Sequence, residues 1–339
     1  MKAIIQNQYG SPNVLVPGMI NPPQVSDHDV LIEIYASTVT QGDRRLRAAD
    51  FPGIGMIPGR IMMGIFRPKH RIPGTVFAGI VRNVGVQVRR FRVGDRVFGM
   101  CPGGAYSQFI AIAENSTLST APDGYSFAEL ASVPYGAISA KRFVRDLGEV
   151  GAGSRVLIIG AAGGVGRWAV QVAKSLDAVV HGLCKADDHV VVQKLGADDV
   201  FEEAPLFESY DLILDTSSTW TFRRATELLK ASGRFVSSDM SLRLILDMAL
   251  NAIRPGPKAI FGIVESKPDD LKWVASRLAN SKLKPTPIRT FSLSKSADAH
   301  RAFEREKLRG EIIIQVRQEA KAPRRLPNIS SPLERVASA

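Results

Sequence analysis

Apolar and polar positions alternate over short runs through the first 120 residues of the chain, with Gly and Pro between the runs. Residues 2–6, 30–37, 76–84, 96–100 and 106–113 are rich in Val, Ile, Phe and Tyr and read as strands. Helical periodicity is weak there, so a mostly antiparallel β domain is expected. Residues 48–73 form a long Gly-, Pro- and Met-rich connection, the mark of a functional loop or lid.

The pattern changes near Pro122. Ser126-Phe127-Ala128-Glu129 has the spacing of a capping box and opens a helix. Pro134 interrupts, and a second helix is expected over residues 135–147. Strands and helices then alternate. Residues 155–159 read as a strand. Val165, Trp168, Ala169, Val172, Ala173 and Leu176 make one helical stripe. A strand at 178–183, a helix capped by Asp187 and ended by Gly196, a strand at 211–214, a helix at 222–231 and a strand at 234–237 follow. Such alternation predicts a parallel sheet covered by helices on both faces. Beyond residue 261 the pattern gives helices at 269–279 and 297–307 and strands at 291–293 and 311–316. Residues after 318 are Pro-, Ser- and charge-rich and read as a disordered tail.

Composition narrows the class. A chain of 339 residues with 45% apolar and 23% charged content fits a soluble protein of two domains. The most apolar segment, 242–253, is broken by Arg243 and Asp247, so no membrane span is expected. No secretory signal is read at the N-terminus, and a cytoplasmic protein is the expectation. Two cysteines, Cys101 and Cys184, and five scattered histidines give no disulfide framework and no metal-ligand spacing. The net charge is +11, and residues 43–96 hold twelve Lys/Arg against three acids. That stretch reads either as a solvated surface or as a face for phosphate, CoA or acidic lipid. No recognition motif accompanies it, so nucleic acid is not an expected partner.

The chemistry enters at Gly160-Ala161-Ala162-Gly163-Gly164-Val165-Gly166, between a strand and a striped helix. Glycine lets backbone approach a pyrophosphate, and the helix N-terminus offers free amides and partial positive charge. The following strand ends without an acid and runs into Cys184-Lys185. An acid there would favour NAD, whereas Lys185 suits a 2′-phosphate. Asp187 and Asp188 argue the other way. NADP(H) is the expected cofactor, with NAD(H) the alternative.

The residues resemble the medium-chain dehydrogenase/reductase superfamily, in its zinc-lacking quinone oxidoreductase-like branch, over about residues 1–316. The likeness rests on Pro73-Gly74-x-x-x-Ala78-Gly79-x-Val81-x-x-Val84-Gly85, on Phe91-x-x-Gly94-Asp95-Arg96-Val97-x-Gly99, on Gly104-Ala105-Tyr106, on residues 156–166 and on Leu195-Gly196-Ala197-Asp198. It implies an α/β fold with a GroES-like β-rich catalytic domain over residues 1–121 and a doubly wound Rossmann domain over 122–260. A C-terminal return to the first domain would span 261–318, with 319–339 as the tail. A homodimer is a further expectation. The zinc-using branch places its metal ligands at positions that here resemble Thr40, Thr75 and Val76, and a lobe with four structural cysteines has no counterpart. Hydride transfer without metal is therefore implied.

A quinone or an α,β-unsaturated carbonyl gains negative charge on oxygen when hydride arrives, and a placed donor stabilises it. Thr38-Val39-Thr40-Gln41-Gly42-Asp43 matches the family's substrate-side loop, where Asn is common at position 40. Thr40 and Tyr135 are the candidate catalytic donors, and Asp43 is read as ordering the loop. Ser139 is placed beside the nicotinamide. Gly160, Ala162, Gly163, Gly164, Val165, Gly166, Cys184, Lys185, Thr216, Ser217, Ser237 and Ser238 are the remaining candidate cofactor contacts. The family's Gly-Lys near the C-terminus is Gly310-Glu311 here, so the lysine's role must be absent or fall to Lys307 or Arg309. An NADPH-dependent quinone or enone reductase is the leading reading. A cofactor-binding sensor or structural protein with little turnover, and an enoyl-thioester reductase, are the alternatives.

Overall fold

A computed structural model describes residues 1–50, 56–205, 208–238, 241–253, 255–262 and 264–319 of the chain. The early alternating runs form β1 (Lys2–Ile5), β2 (Val16–Met19), β3 (Asp29–Val39), β4 (Val76–Val84), β5 (Arg96–Met100), β6 (Phe109–Ala113) and β7 (Leu118–Thr120). β3 is long enough to pair with β4 and β6 at once, both antiparallel. Its inward residues Val30, Ile32 and Ile34 pack with Phe77, Val81, Val97 and Leu118, which the period-two pattern requires.

Two helices in this region were not expected: α1 (Gln41–Ala48) and α2 (Met56–Met63). The sequence of α1, QGDRRLRA, carries one large apolar side chain and so shows no apolar stripe. Its signal is local instead. Thr40 and Asp43 form a reciprocal capping box at its start. Residues 51–55 of the expected lid lie outside the described residues, as do residues 320–339 of the expected tail.

The middle of the chain follows the alternation. α3 (Phe127–Ser132) opens on the Ser126–Glu129 capping box, and α4 (Pro134–Lys141) follows directly. Then come β8 (Arg155–Ile159), α5 (Gly164–Ser175), β9 (Val179–Leu183), α6 (His189–Lys194), β10 (Asp199–Phe201), β11 (Tyr210–Asp215), α7 (Phe222–Thr226), β12 (Leu229–Ser237), α8 (Leu242–Ile253) and β13 (Lys258–Phe261). The six strands are parallel in the order β10-β9-β8-β11-β12-β13. Order reverses between β8 and β11, and a crevice opens at the carboxyl ends there. The helix expected to reach 231 stops at Thr226, because β12 starts at Leu229 to pair with Tyr210. β10 and β13 have only three and four residues and were missed.

The chain ends with α9 (Pro268–Ala279), β14 (Pro287–Ser292), α10 (Ser296–Arg305) and β15 (Glu311–Gln315). α9 buries Leu271, Val274 and Leu278 in the same core as α4 and α5. β15 pairs antiparallel with β3, and β14 runs parallel to β15, so the last segment completes the first sheet. Among the described residues no helix is long and apolar enough to cross a membrane.

Candidate active site

A cleft of about 580 Å³ opens between the two sheets, lined by the end of β3, α4, the glycine turn, the end of β9, and residues 303–311. The turn meets the steric demands of a phosphate cradle. Gly160 has φ +76°, and a Cβ there would stand 2.8 Å from the Thr216 hydroxyl oxygen. A Cβ on Gly166 would stand 2.1 Å from the Gly160 carbonyl oxygen, so only glycine lets α5 sit against β8. Gly163 is the N-cap and brings no capping side chain, so the first amides of α5 lack acceptors. Gly160, Ala162, Gly163, Gly164 and Val165 line the cleft, while Gly166 packs behind it.

Cys184 and Lys185 line the cleft past the end of β9, and Lys185 is exposed. Burial pushes the Cys184 thiol up to about 11, with Asp188 adding to the effect. Asp187 makes no capping bond in the structure. Asp188 is the acid that matters. It is buried, lines the cleft, and takes Lys307 at 2.8 Å and Arg309 at 2.7 Å. Burial works against its ionisation, but these two cations outweigh it and hold its carboxyl below the usual range. Lys307 itself lines the cleft beside Lys185.

Thr216 and Ser217 also line the cleft, with both hydroxyl hydrogens engaged inside the protein. Thr216 donates to the Ile159 carbonyl at 2.9 Å, and Ser217 donates to Asp215 at 2.8 Å. Asp215 is fully buried and also takes the Ser217 and Trp220 amides, which shapes the loop after β11. Besides Gly166, three expected contacts are not brought to the cleft wall. The Ser139 hydroxyl donates to the Tyr135 carbonyl one turn back, at 2.6 Å. Ser237 is buried at the end of β12, and Ser238 turns to the Asp215 carbonyl. Strand-end position alone could not reveal these orientations.

Facing the glycine turn are Thr40 and Tyr135. The Thr40 hydroxyl donates to Asp43 Oδ2 at 2.6 Å and accepts the Asp43 amide at 3.0 Å. Asp43 Oδ1 accepts from the Thr75 hydroxyl at 2.8 Å. Asp43 is 2% exposed and has no cation partner among the described residues, and burial lifts its pKa to about 6 despite the bonds from Thr40 and Thr75. Tyr135 lies against Gly42, where a Cβ would come 3.1 Å from its ring. Burial raises its phenol pKa, with nearby Arg45 opposing, so it keeps its proton at neutral pH.

A buried network backs this loop. Arg47 donates to His300 Nδ1 at 3.3 Å, which leaves Nε2–H to donate to the Tyr106 hydroxyl at 3.0 Å. Tyr106 in turn donates to the Thr38 carbonyl. Burial, and then Arg47, lower the His300 pKa to about 3, so the ring is neutral. On the other wall Glu311 accepts from Trp168 at 3.0 Å, Thr286 at 3.0 Å and Arg167 at 3.1 Å. The acid at the Gly-Lys position therefore ties β15 to α5, with its partner cation on the helix. Glu311 stood out in the sequence as a departure from Gly-Lys, but its partner Arg167 did not, because the pair joins residues far apart in the chain.

The donor set does not suit zinc. Thr40 and Thr75 spend their hydroxyls on Asp43, Val76 has no donor, and the Cys101 thiol faces the Gly74 carbonyl. Among the described residues no group of three or more His, Cys, Asp or Glu is placed to hold a metal ion. The glycine turn, by contrast, fits a dinucleotide.

Comparison with known proteins agrees with this fold. Residues 26–141 match the family model for the alcohol dehydrogenase GroES-like domain, and residues 187–314 match that for zinc-binding dehydrogenase. The mitochondrial NAD(P)H oxidoreductase RTN4IP1 of Bos taurus is 29% identical, over 93% of this chain and 89% of its own. A chloroplastic quinone-oxidoreductase homolog of Spinacia oleracea is 26% identical, over 93% and 98%. The structure of the quinone oxidoreductase from Coxiella burnetii superposes with a TM-score of 0.79 at 25% identity, covering 94% of this chain and 99% of that one.

Proposed function

This chain belongs to the medium-chain dehydrogenase/reductase superfamily, with its GroES-like and Rossmann domains, and on that premise we propose that it is an NADPH-dependent, zinc-independent reductase of quinones or enones. The observation that carries the proposal is the single cleft in which the glycine turn faces Thr40 and Tyr135. Bound there, the nicotinamide would supply hydride. The protein supplies placement and charge. The amides at the start of α5 hold the pyrophosphate. Lys185 and Lys307 favour a 2′-phosphate, and Asp188, already neutralised by two cations, repels it little. Tyr135, kept neutral by burial, offers a hydrogen bond to the substrate oxygen. Thr40, Thr75 and Val76 in place of thiolate or imidazole support the metal-free reading. A homodimer in the cytoplasm completes the proposal.

The test follows NADPH and NADH consumption against quinones, enones and enoyl thioesters. We expect turnover with quinones or enones and a lower KM for NADPH. Lys185→Glu should raise the NADPH KM about tenfold, since it exchanges an attraction for a repulsion. An NADH preference would overturn the cofactor assignment. Tight NADPH binding without turnover on any substrate would point to a sensor instead.

A further inference from the structure

Reducing a quinone or an enone takes up a proton as well as a hydride, and one hydroxyl on the substrate side of the cleft is wired to a buried carboxyl. We propose that Asp43 is the proton reservoir of the reaction and Thr40 the group that hands the proton on. The inference rests on the reductase reading above.

The geometry is that of a relay crossing a wall. Thr40 lines the large cleft, whereas Asp43 and Thr75 line a separate cavity of about 30 Å³ on the far side, together with Lys69 and His70. That volume suits one water. The Thr40–Asp43 bond of 2.6 Å works in both directions. With Asp43 ionised, Thr40 donates to it. With Asp43 protonated, Oδ2–H donates to Thr40 Oγ1, and the threonine's own hydrogen is freed to point into the cleft. Thr40 still accepts the Asp43 amide at 3.0 Å, so all its bonding positions are used.

The step balances. Hydride brings an electron pair to the substrate carbon, and the displaced pair becomes negative charge on oxygen. The Thr40 proton goes to the substrate as the Asp43 proton goes to Thr40. Asp43 is left as carboxylate and regains a proton from water through the small cavity. Among the described residues, the Tyr106 and Tyr135 phenols and the Cys101 thiol feel Asp43 and are held neutral by burial, while Lys69 and His70 share its small cavity. Arg47, on the same helix, is turned to Glu304 and His300. A value of about 6 lets Asp43 give and regain a proton near neutrality.

The competing role is purely structural, as the third-position member of the capping box that opens α1, and asparagine keeps an amide oxygen for the Thr40 amide in that role. Asp43→Asn, Thr40→Val and Thr40→Ser are therefore compared with the wild type for kcat across the neutral range, in water and in heavy water. NADPH affinity confirms that each variant is folded. The infrared band of a protonated carboxyl is followed without substrate. We expect a wild-type band that fades near pH 6 and is missing in Asp43→Asn. We expect kcat to fall about a hundredfold in Asp43→Asn and Thr40→Val, with loss of the alkaline limb, an unchanged NADPH KM, and rescue in Thr40→Ser. If Asp43→Asn keeps the wild-type kcat, pH limb and solvent isotope effect, the relay is wrong while the reductase stands. If Asp43→Asn fails to fold, equal kcat in Thr40→Val and Thr40→Ser overturns it. If the wild type reduces neither quinones nor enones, the reductase reading falls, and the relay with it.

Discussion

Asp43 sits among hydroxyls where a buried carboxylate would ordinarily find a cation, and that choice has a cost that depends on pH. Its folded pKa is about 6 against an ordinary 3.8, so the folded chain holds a proton that the unfolded chain releases between these values. Stability from this site is present below the lower value and lost as pH rises through the upper one. Relative to Asp43→Asn, the wild type should lose about 3 kcal/mol across that window. Chemical unfolding of both proteins below and above it measures the difference. A constant difference would mean the carboxyl does not titrate in that range. Tyr135→Phe removes a hydroxyl and little else, so it should lower kcat with NADPH KM unchanged. Asp43 was legible as the residue that orders the loop, but not its bond to Thr40. The burial behind its raised pKa was not, because the wall around Asp43 comes from Thr75 on the approach to β4 and from Tyr106.

Among the elements, the β8–turn–α5 unit was legible almost in full. Strand, glycine spacing and helical stripe are all local, and each alone predicts the next. Gly166→Ala should fail here. Its Cβ would meet the Gly160 carbonyl at 2.1 Å, and relief requires moving α5 away from β8. Overpacking of this kind costs about 1–3 kcal/mol. The expected outcome is a lower Tm with NADPH binding lost beyond what the destabilisation explains, measured by titration of the folded variant. α1 escaped notice because a polar helix buries its cap and not a stripe. β10 and β13 escaped because a strand of three or four residues at a sheet edge leaves too little pattern.

Over the whole molecule, the net charge of +11 gives little guidance to the site. Several cations of the basic stretch are spent on structure: Arg44 pairs with Asp50, Arg82 with Glu33 and Arg96 with Glu319. The cations that matter to the cleft stand elsewhere, on Lys185, Lys307 and Arg309. The buried Arg167–Glu311 pair joins α5 to β15 across the cleft wall. Glu311→Gln leaves Arg167 buried without a counter-charge and should cost about 3–5 kcal/mol, with a matching drop in Tm. An unchanged Tm would mean that Arg167 reaches water when released. Such pairings are invisible to sequence patterns because they depend on how the chain returns.

That return also sets an order in time. β3 finds its partner β15 only when the last segment arrives, and Arg47 meets His300 across 253 positions. The parallel sheet, from β8 to β13, is continuous in sequence and has all its strands before β14 is made. A chain emerging from the ribosome can thus assemble its nucleotide-holding half early, since domains tend to fold as units from the N-terminus. The β-rich half that began the chain must wait, with residues 36–39 of β3 unpaired on one edge, for β15 to be made. The wall that positions Thr40 and Asp43 is among the last parts to form, so the ability to hold the dinucleotide should precede the ability to use it.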